Sequence, residues 1–153
     1  AQAQDYAGFN LLVGGHDNLW HYTNSDTKGP QNLPPGIYGL SNATLDTPWP
    51  KVVLGKAKLL ALLETGPMSH RALADVVSSQ QLADQNSLIA QGLDSTMEST
   101  LSPQFIVTDT YGTRSSTTLW FDAKAQASWL ELSFNAQGVL REVQHKEMSL
   151  ADR

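Results

Sequence analysis

ASWLELSFNAQGVLREVQH, residues 127–145, decides the fold class. Leu130, Leu132 and Phe134 recur at every second position, so an extended chain carries them on one side. Asn135-Ala136-Gln137-Gly138 breaks the alternation with turn formers, and VLREVQH (139–145) resumes a strand. The stretch reads as a β-hairpin. Immediately upstream, SSTTLWFD (115–122) is a strand with Thr117, Leu119 and Phe121 on a common side, and FIVTDT (105–110) is another short strand.

The start of the chain has the same character. GFNLLV (8–13), bounded by Gly14-Gly15, reads as a buried strand. LWHYTN (19–24) pairs with it across a Gly-containing turn. The Pro, Gly and Asn residues of 25–36 mark a surface loop, and Ile37 to Leu40 a third short strand. Between the two strand regions, Trp49 to Glu64 has helical spacing, with Val53, Ala57 and Leu60 on one face. Thr47 is its expected cap, Pro48 or Pro50 its first turn, and Gly66-Pro67 its stop. A shorter helix starts at Ser69 with Leu73, Val76 and Val77 as its stripe. Residues 78–103 are polar and read as a long loop with one helical turn. The predicted class is α+β, with antiparallel sheets layered with helices.

Composition narrows the function. Of 153 residues, 41% are hydrophobic, enough for a core. The net charge of −5, with ten scattered Lys and Arg, offers no stripe for phosphates and argues against nucleic acid. The chain has no cysteine, so it carries no disulfide, thiolate metal site or Cys nucleophile of its own. That accords with a cytoplasmic protein. No apolar run approaches the roughly 20 residues of a membrane-spanning helix. His16, His21, His70 and His145 lack metal-ligand spacing, and no cofactor is expected. Met68 with His70 is at most a remote haem-ligand pair.

Four blocks carry a family resemblance: AGFNLLVG (7–14), PGIYGLSNATLDTPWPKV (35–52), LSPQFIV (101–107) and YGTRSSTTLWF (111–121). In order and spacing the chain resembles the NRDE family, the group similar to Transport and Golgi organisation protein 2. The resemblance implies that residues 1–153 are the C-terminal portion of a single domain whose N-terminal half lies outside this sequence. It also implies a distant likeness to N-terminal-nucleophile amidohydrolases, which stack two antiparallel sheets between helical layers.

By that likeness Asn42 is a site candidate whose amide would stabilise an oxyanion. The alternative is a turn Asn that caps Asp46 or its own backbone. Arg114, in YGTR, would hold active-site charge beside a Cys supplied by the missing half, or else pair with Asp109. Tyr111 and Thr113 would support it. Asn10, inside an apolar strand, either lines a cleft or makes a ladder-edge hydrogen bond. Trp49, in LDTPWPK, either packs or contacts a ligand. The expected functions are an amide or acyl hydrolase in the full-length protein, with this chain inert alone, or a binding protein for haem or a lipid or acyl ligand lined by Trp20, Trp49 or Trp120. A third possibility is a half-domain that pairs with its missing half or with a second copy as a homodimer.

Overall fold

Alternation in residues 126–134 does produce the central strand of a sheet. In the computed structural model, which describes residues 3–15, 17–93 and 95–149, β5 (Gln126–Phe134) lies between β4 (Ser115–Phe121) and β6 (Leu140–Ser149) in an antiparallel sheet. The turn before β6 is made by Asn135, whose Oδ1 accepts from the N–H groups of Gln137 (3.0 Å) and Val139 (2.9 Å). Gly138 closes it at φ +71°, where a Cβ would lie 2.7 Å from a Val107 methyl, so only glycine fits.

Register decides which residues share a side. Thr118 faces Leu130 and Trp120 faces Ser128; Leu130 faces His145 and Ser128 faces Glu147. These side chains stand on the side covered by α2 (His70–Val76), which packs against β4 and against α1 (Pro50–Thr65). Leu132 and Phe134 are also on that side, and Phe105 meets Phe134 edge to face at 4.8 Å. Leu132, Phe105, Ala74 and Val76 are buried there. Leu119, Phe121 and Met148 stand on the opposite side and are exposed.

The helices depart from expectation in detail. α1 begins with Trp49 at its N-cap and no side-chain cap, not with Thr47 as cap, and Pro50 stands in the first turn as expected. Its buried residue is Val52, whereas Val53 and Leu60 of the predicted face are exposed. The helix is apolar nearly all round, so its spacing does not select a face. α2 starts where predicted, Ser69 Oγ accepting from the N–H of Ala72, but buries Ala74 and Val76 while Val77 is exposed. The 78–103 segment holds two helices: α3 (Gln85–Ile89), capped by Asp84, and α4 (Thr96–Thr100), with a capping box between Ser95 and Glu98. The segment predicted as a strand at 105–110 instead folds back on itself. Ile106 exchanges bonds with Thr113, and Thr108 with Tyr111, leaving one β-bridge, Val107 to Gly112.

Contacts divide the chain into two compact units, Ala1–Thr47 and Pro48–Arg153, and the elements above belong to the second. The first holds a short 3-10 turn (Ala3–Asp5) and a sheet of order β1-β2-β3. β1 (Asn10–Gly14) pairs with β2 (Leu19–Thr23) as predicted, and β2 with the two-residue β3 (Gln31–Asn32), which lies inside the predicted loop. His16 lies outside the described residues. β1 is exposed rather than buried, because it is an edge strand and the unit's own 3-10 turn covers little of it. Ile37 to Leu40 is not a strand. The N–H of Gly39 donates to Asp46 Oδ1 and its carbonyl accepts from the N–H of Asp46, both at 2.7 Å, so its backbone closes a loop instead of joining a ladder.

Among the described residues, Leu88 of α3 is the most enclosed large side chain, at 1% exposure. Leu88→Ala should cost about 2–4 kcal/mol through lost burial and the cavity it leaves, read as a lowered urea midpoint with an unchanged slope.

Candidate functional site

The Gly39–Asp46 clamp shapes the segment that carries Asn42. Asp46 adopts φ +59°, a left-handed conformation that Asp tolerates better than most residues. Its bonds to Gly39 bow residues 40–45 outward, and Asn42 stands exposed on the bow. Asp46 is held by Gly39, and the Asn42 side chain is bonded to no described residue; neither expected cap forms. Asn10 supports the bow from below. Its Nδ2 donates to the carbonyl of Ala43 (3.4 Å) and its Oδ1 meets Nε2 of buried His21 (3.0 Å). This amide orientation requires His21 to carry its proton on Nε2. Asn10 thus couples β1, β2 and the Asn42 segment, instead of bonding along the ladder edge.

In the second unit, Arg114 leads into β4. Its carbonyl accepts from the N–H of Phe134 (2.8 Å), while its guanidinium is exposed and forms no ion pair with Asp109 or any other described residue. Tyr111 is exposed at the tip of the neighbouring turn, its backbone N–H donating to Thr108 Oγ1 (3.0 Å). Thr113 Oγ1 accepts from the N–H of Ile106 (3.0 Å) and so holds the turn's base. Trp49 is half-buried, with Lys51 Nζ 5.7 Å from its ring centroid.

Of two further constellations, the sequence reading named only Trp20 and Trp120, as candidate ligand contacts, and His70, as a remote haem ligand. One side of the β1-β2 hairpin carries Leu11, Val13, Trp20 and Tyr22, which with Tyr6 and Phe9 line an open apolar groove of about 840 Å³. Phe9 packs on Tyr22 at 5.8 Å and on Tyr6 at 6.5 Å. The pairing of the two strands was legible; the contribution of Tyr6 and Phe9 from before the strand was not.

The other constellation centres on His70, the first residue of α2. Its Nδ1 meets Thr118 Oγ1 at 2.7 Å, its Nε2 meets Ser128 Oγ at 2.9 Å, and its ring stacks on Trp120 at 3.7 Å. Ser128 Oγ also meets His145 Nε2 at 3.2 Å, and that nitrogen lies 4.0 Å from Glu147 Oε1. Thr118 Oγ1 donates to the Leu130 carbonyl (3.4 Å), so it accepts from His70 Nδ1–H, and His70 Nε2 accepts from Ser128. Both ring nitrogens are committed, which leaves His70 no lone pair for haem beside Met68.

Comparison with known proteins accounts for the sequence blocks. The model of the family described as Transport and Golgi organisation 2 matches residues 1–136. The chain belongs to that family. It is 33% identical over 149 residues to the bovine Transport and Golgi organization protein 2 homolog, covering 87% of this chain and 53% of the relative. The mouse and human homologs are 31% and 30% identical, over 84% of this chain and 51% of each relative. The chain therefore spans about half the length of these family members. Among the described residues, no helix is long and apolar enough to cross a membrane.

Burial, and then the charge of His145, hold the His70 imidazole below its ordinary value, with Glu147 opposing. A folded state that binds this proton poorly has its stability from His70 above the ordinary imidazole value of about 6.5 and loses it as pH falls through the depressed one. Thermal midpoints should therefore fall between about pH 7.5 and pH 5.5. His70→Gln should flatten that part of the profile, and identical profiles would assign the acid sensitivity to other groups.

Proposed function

We infer that the chain contributes a binding surface for an apolar ligand of the acyl type, and that the groove on the β1-β2 hairpin receives it. The supporting observation is the groove itself, which presents two tyrosines, a tryptophan, a phenylalanine and two aliphatic residues to solvent within about 840 Å³. Apolar ground of this kind in a strand pair is a recognised mark of a ligand or partner surface. The described lining has no imidazole or thioether, though Tyr6 and Tyr22 carry phenols that can ligate a haem iron, so haem is the alternative occupant to be tested. The family relatives carry names that speak of transport, which accords with carriage. A cytoplasmic location is proposed with this reading, and the absence of cysteine from this chain is compatible with it.

A hydrolytic reading draws support from one observation. Asn42 and Arg114 both keep their side chains exposed, so each is open to a substrate. On that reading a Cys from the part of the family protein outside this chain would attack an amide or acyl carbonyl. Asn42 would then stabilise the oxyanion, and Arg114 the thiolate or a carboxylate.

Calorimetric titration with oleate and, separately, with haem tests the first reading. Oleate should bind saturably, and Trp20→Ala should weaken it about tenfold, the effect of roughly 1.4 kcal/mol of aromatic contact. No saturable binding of oleate would remove the acyl reading, and binding of haem alone would replace it. For the second reading, an electrophilic acyl probe on the full-length protein should label its Cys, and Asn42→Ala should slow labelling about a hundredfold. A well-folded protein that stays unlabelled would set hydrolysis aside.

A further inference from the structure

We propose that Ser128, served by His70 and Thr118, is a serine nucleophile that cleaves short-chain carboxylic esters with no residue from outside this chain. The centre stands apart from the apolar groove and from the cysteine route, because every participant belongs to the second unit.

Strands β4, β5 and β6 each give it one residue. Thr118 faces Leu130, which faces His145, and Ser128 lies two positions along from Leu130, so Thr118, Ser128 and His145 rise from the same side of the sheet. His70 meets them from the start of α2. A hydroxyl bonded to an imidazole, whose other nitrogen is held by a third group, is the arrangement that activates a serine. Here Ser128 Oγ donates to His70 Nε2 at 2.9 Å, and His70 Nδ1 donates to Thr118 Oγ1 at 2.7 Å. Thr118 is buried and its own proton goes to the Leu130 carbonyl, so it is held as the acceptor that keeps the proton of His70 on Nδ1. Trp120, stacked on the imidazole with 21° between the planes, fixes the ring.

His145 adds a second imidazole on the same oxygen. Its Nε2 lies 3.2 Å from Ser128 Oγ, whose one proton already points to His70, so His145 is the donor there. Donation into Oγ favours the charge that grows on it as its proton leaves. Burial, and then the charge of His145, hold His70 below its ordinary value, so at neutral pH it is the free base that the transfer requires. His145 is exposed and Ser128 half-buried, so a small ester approaches the hydroxyl from the β6 side. Trp120, opposite Ser128 on one flank, is apolar ground for a short acyl chain, and Glu147, opposite it on the other, disfavours an anionic one.

The chemistry is ester hydrolysis in two steps. Ser128 Oγ adds to the ester carbonyl as its proton passes to His70 Nε2. The bond to the alcohol oxygen breaks, and His70 returns the proton to that oxygen. Water then adds to the acyl-serine, giving a proton to His70 Nε2. The bond from Oγ to the acyl carbon breaks, and Oγ takes the proton back as the acid leaves.

Diisopropyl fluorophosphate, which phosphorylates activated serines with loss of fluoride, and 4-nitrophenyl acetate test the centre on this chain. The first reagent should add a single diisopropylphosphoryl group, mapped by peptide mass to Ser128, and should add none to the chain unfolded in urea. The ester should be turned over, and Ser128→Ala should remove that turnover. His70→Gln should lower kcat about a hundredfold, the usual worth of a general base. Thr118 is a positioning residue: Thr118→Val should lower kcat with KM little changed, and Thr118→Ser should restore it. These residues also tie α2 to the sheet, so where a variant fails to fold, labelling of the unaltered chain decides. No adduct on Ser128, an adduct on another residue in its place, or unchanged turnover by a folded Ser128→Ala variant would each overturn the proposal.

Discussion

The antiparallel register between β4 and β5 is the constraint on which the second unit is built. Because Thr118 stands opposite Leu130 and Trp120 opposite Ser128, hydroxyls, an indole and leucines share the side that α2 covers. A shift of one residue would exchange them for Leu119, Glu131 and Trp129 and leave His70 without any of its three partners. The register also delivers Leu132 and Phe134 to Phe105, so the aromatic pair and the imidazole network report the same alignment. α2 is only seven residues long, too short for a helix to persist without its tertiary contacts.

In the first unit, side-chain hydrogen bonds do the work that hydrophobic burial does in the second. Thr23 and Asn24 bind the backbone of Phe9, and Asn24 Nδ2 reaches the carbonyl of Ala3 at 2.9 Å. His21 and Thr23 are buried, whereas Leu11, Leu12 and Val13 are exposed. This inverts the usual order of a small sheet and leaves the apolar groove open.

Much of this was legible in the residues, and the rest was hidden for identifiable reasons. β4, β5 and β6 declared themselves by alternation and by Asn135 to Gly138. α4 could have been read from Ser95 and Glu98, whose spacing is a capping box, had the polar composition of 78–103 not suggested a loop. Ile37 to Leu40 failed because Asp46, seven positions beyond Gly39, took the backbone groups a ladder would have used. Asn42 and Arg114 were named through likeness and sit exposed in different units. His70 and Ser128, 58 positions apart, were invisible as a pair because only the fold brings them together.

β6 is exposed at all ten of its positions and forms the outer edge of its sheet. A long strand with one free ladder is a template on which another molecule's strand can assemble, the first step toward an ordered aggregate. Arg141, Glu142, Lys146 and Glu147 place both signs of charge along that edge, and any incoming strand would have to strip them of water or bring them against like charges. Resistance to pairing along this edge thus rests on ions in a strand that contributes little to the core, and it should weaken as salt screens them.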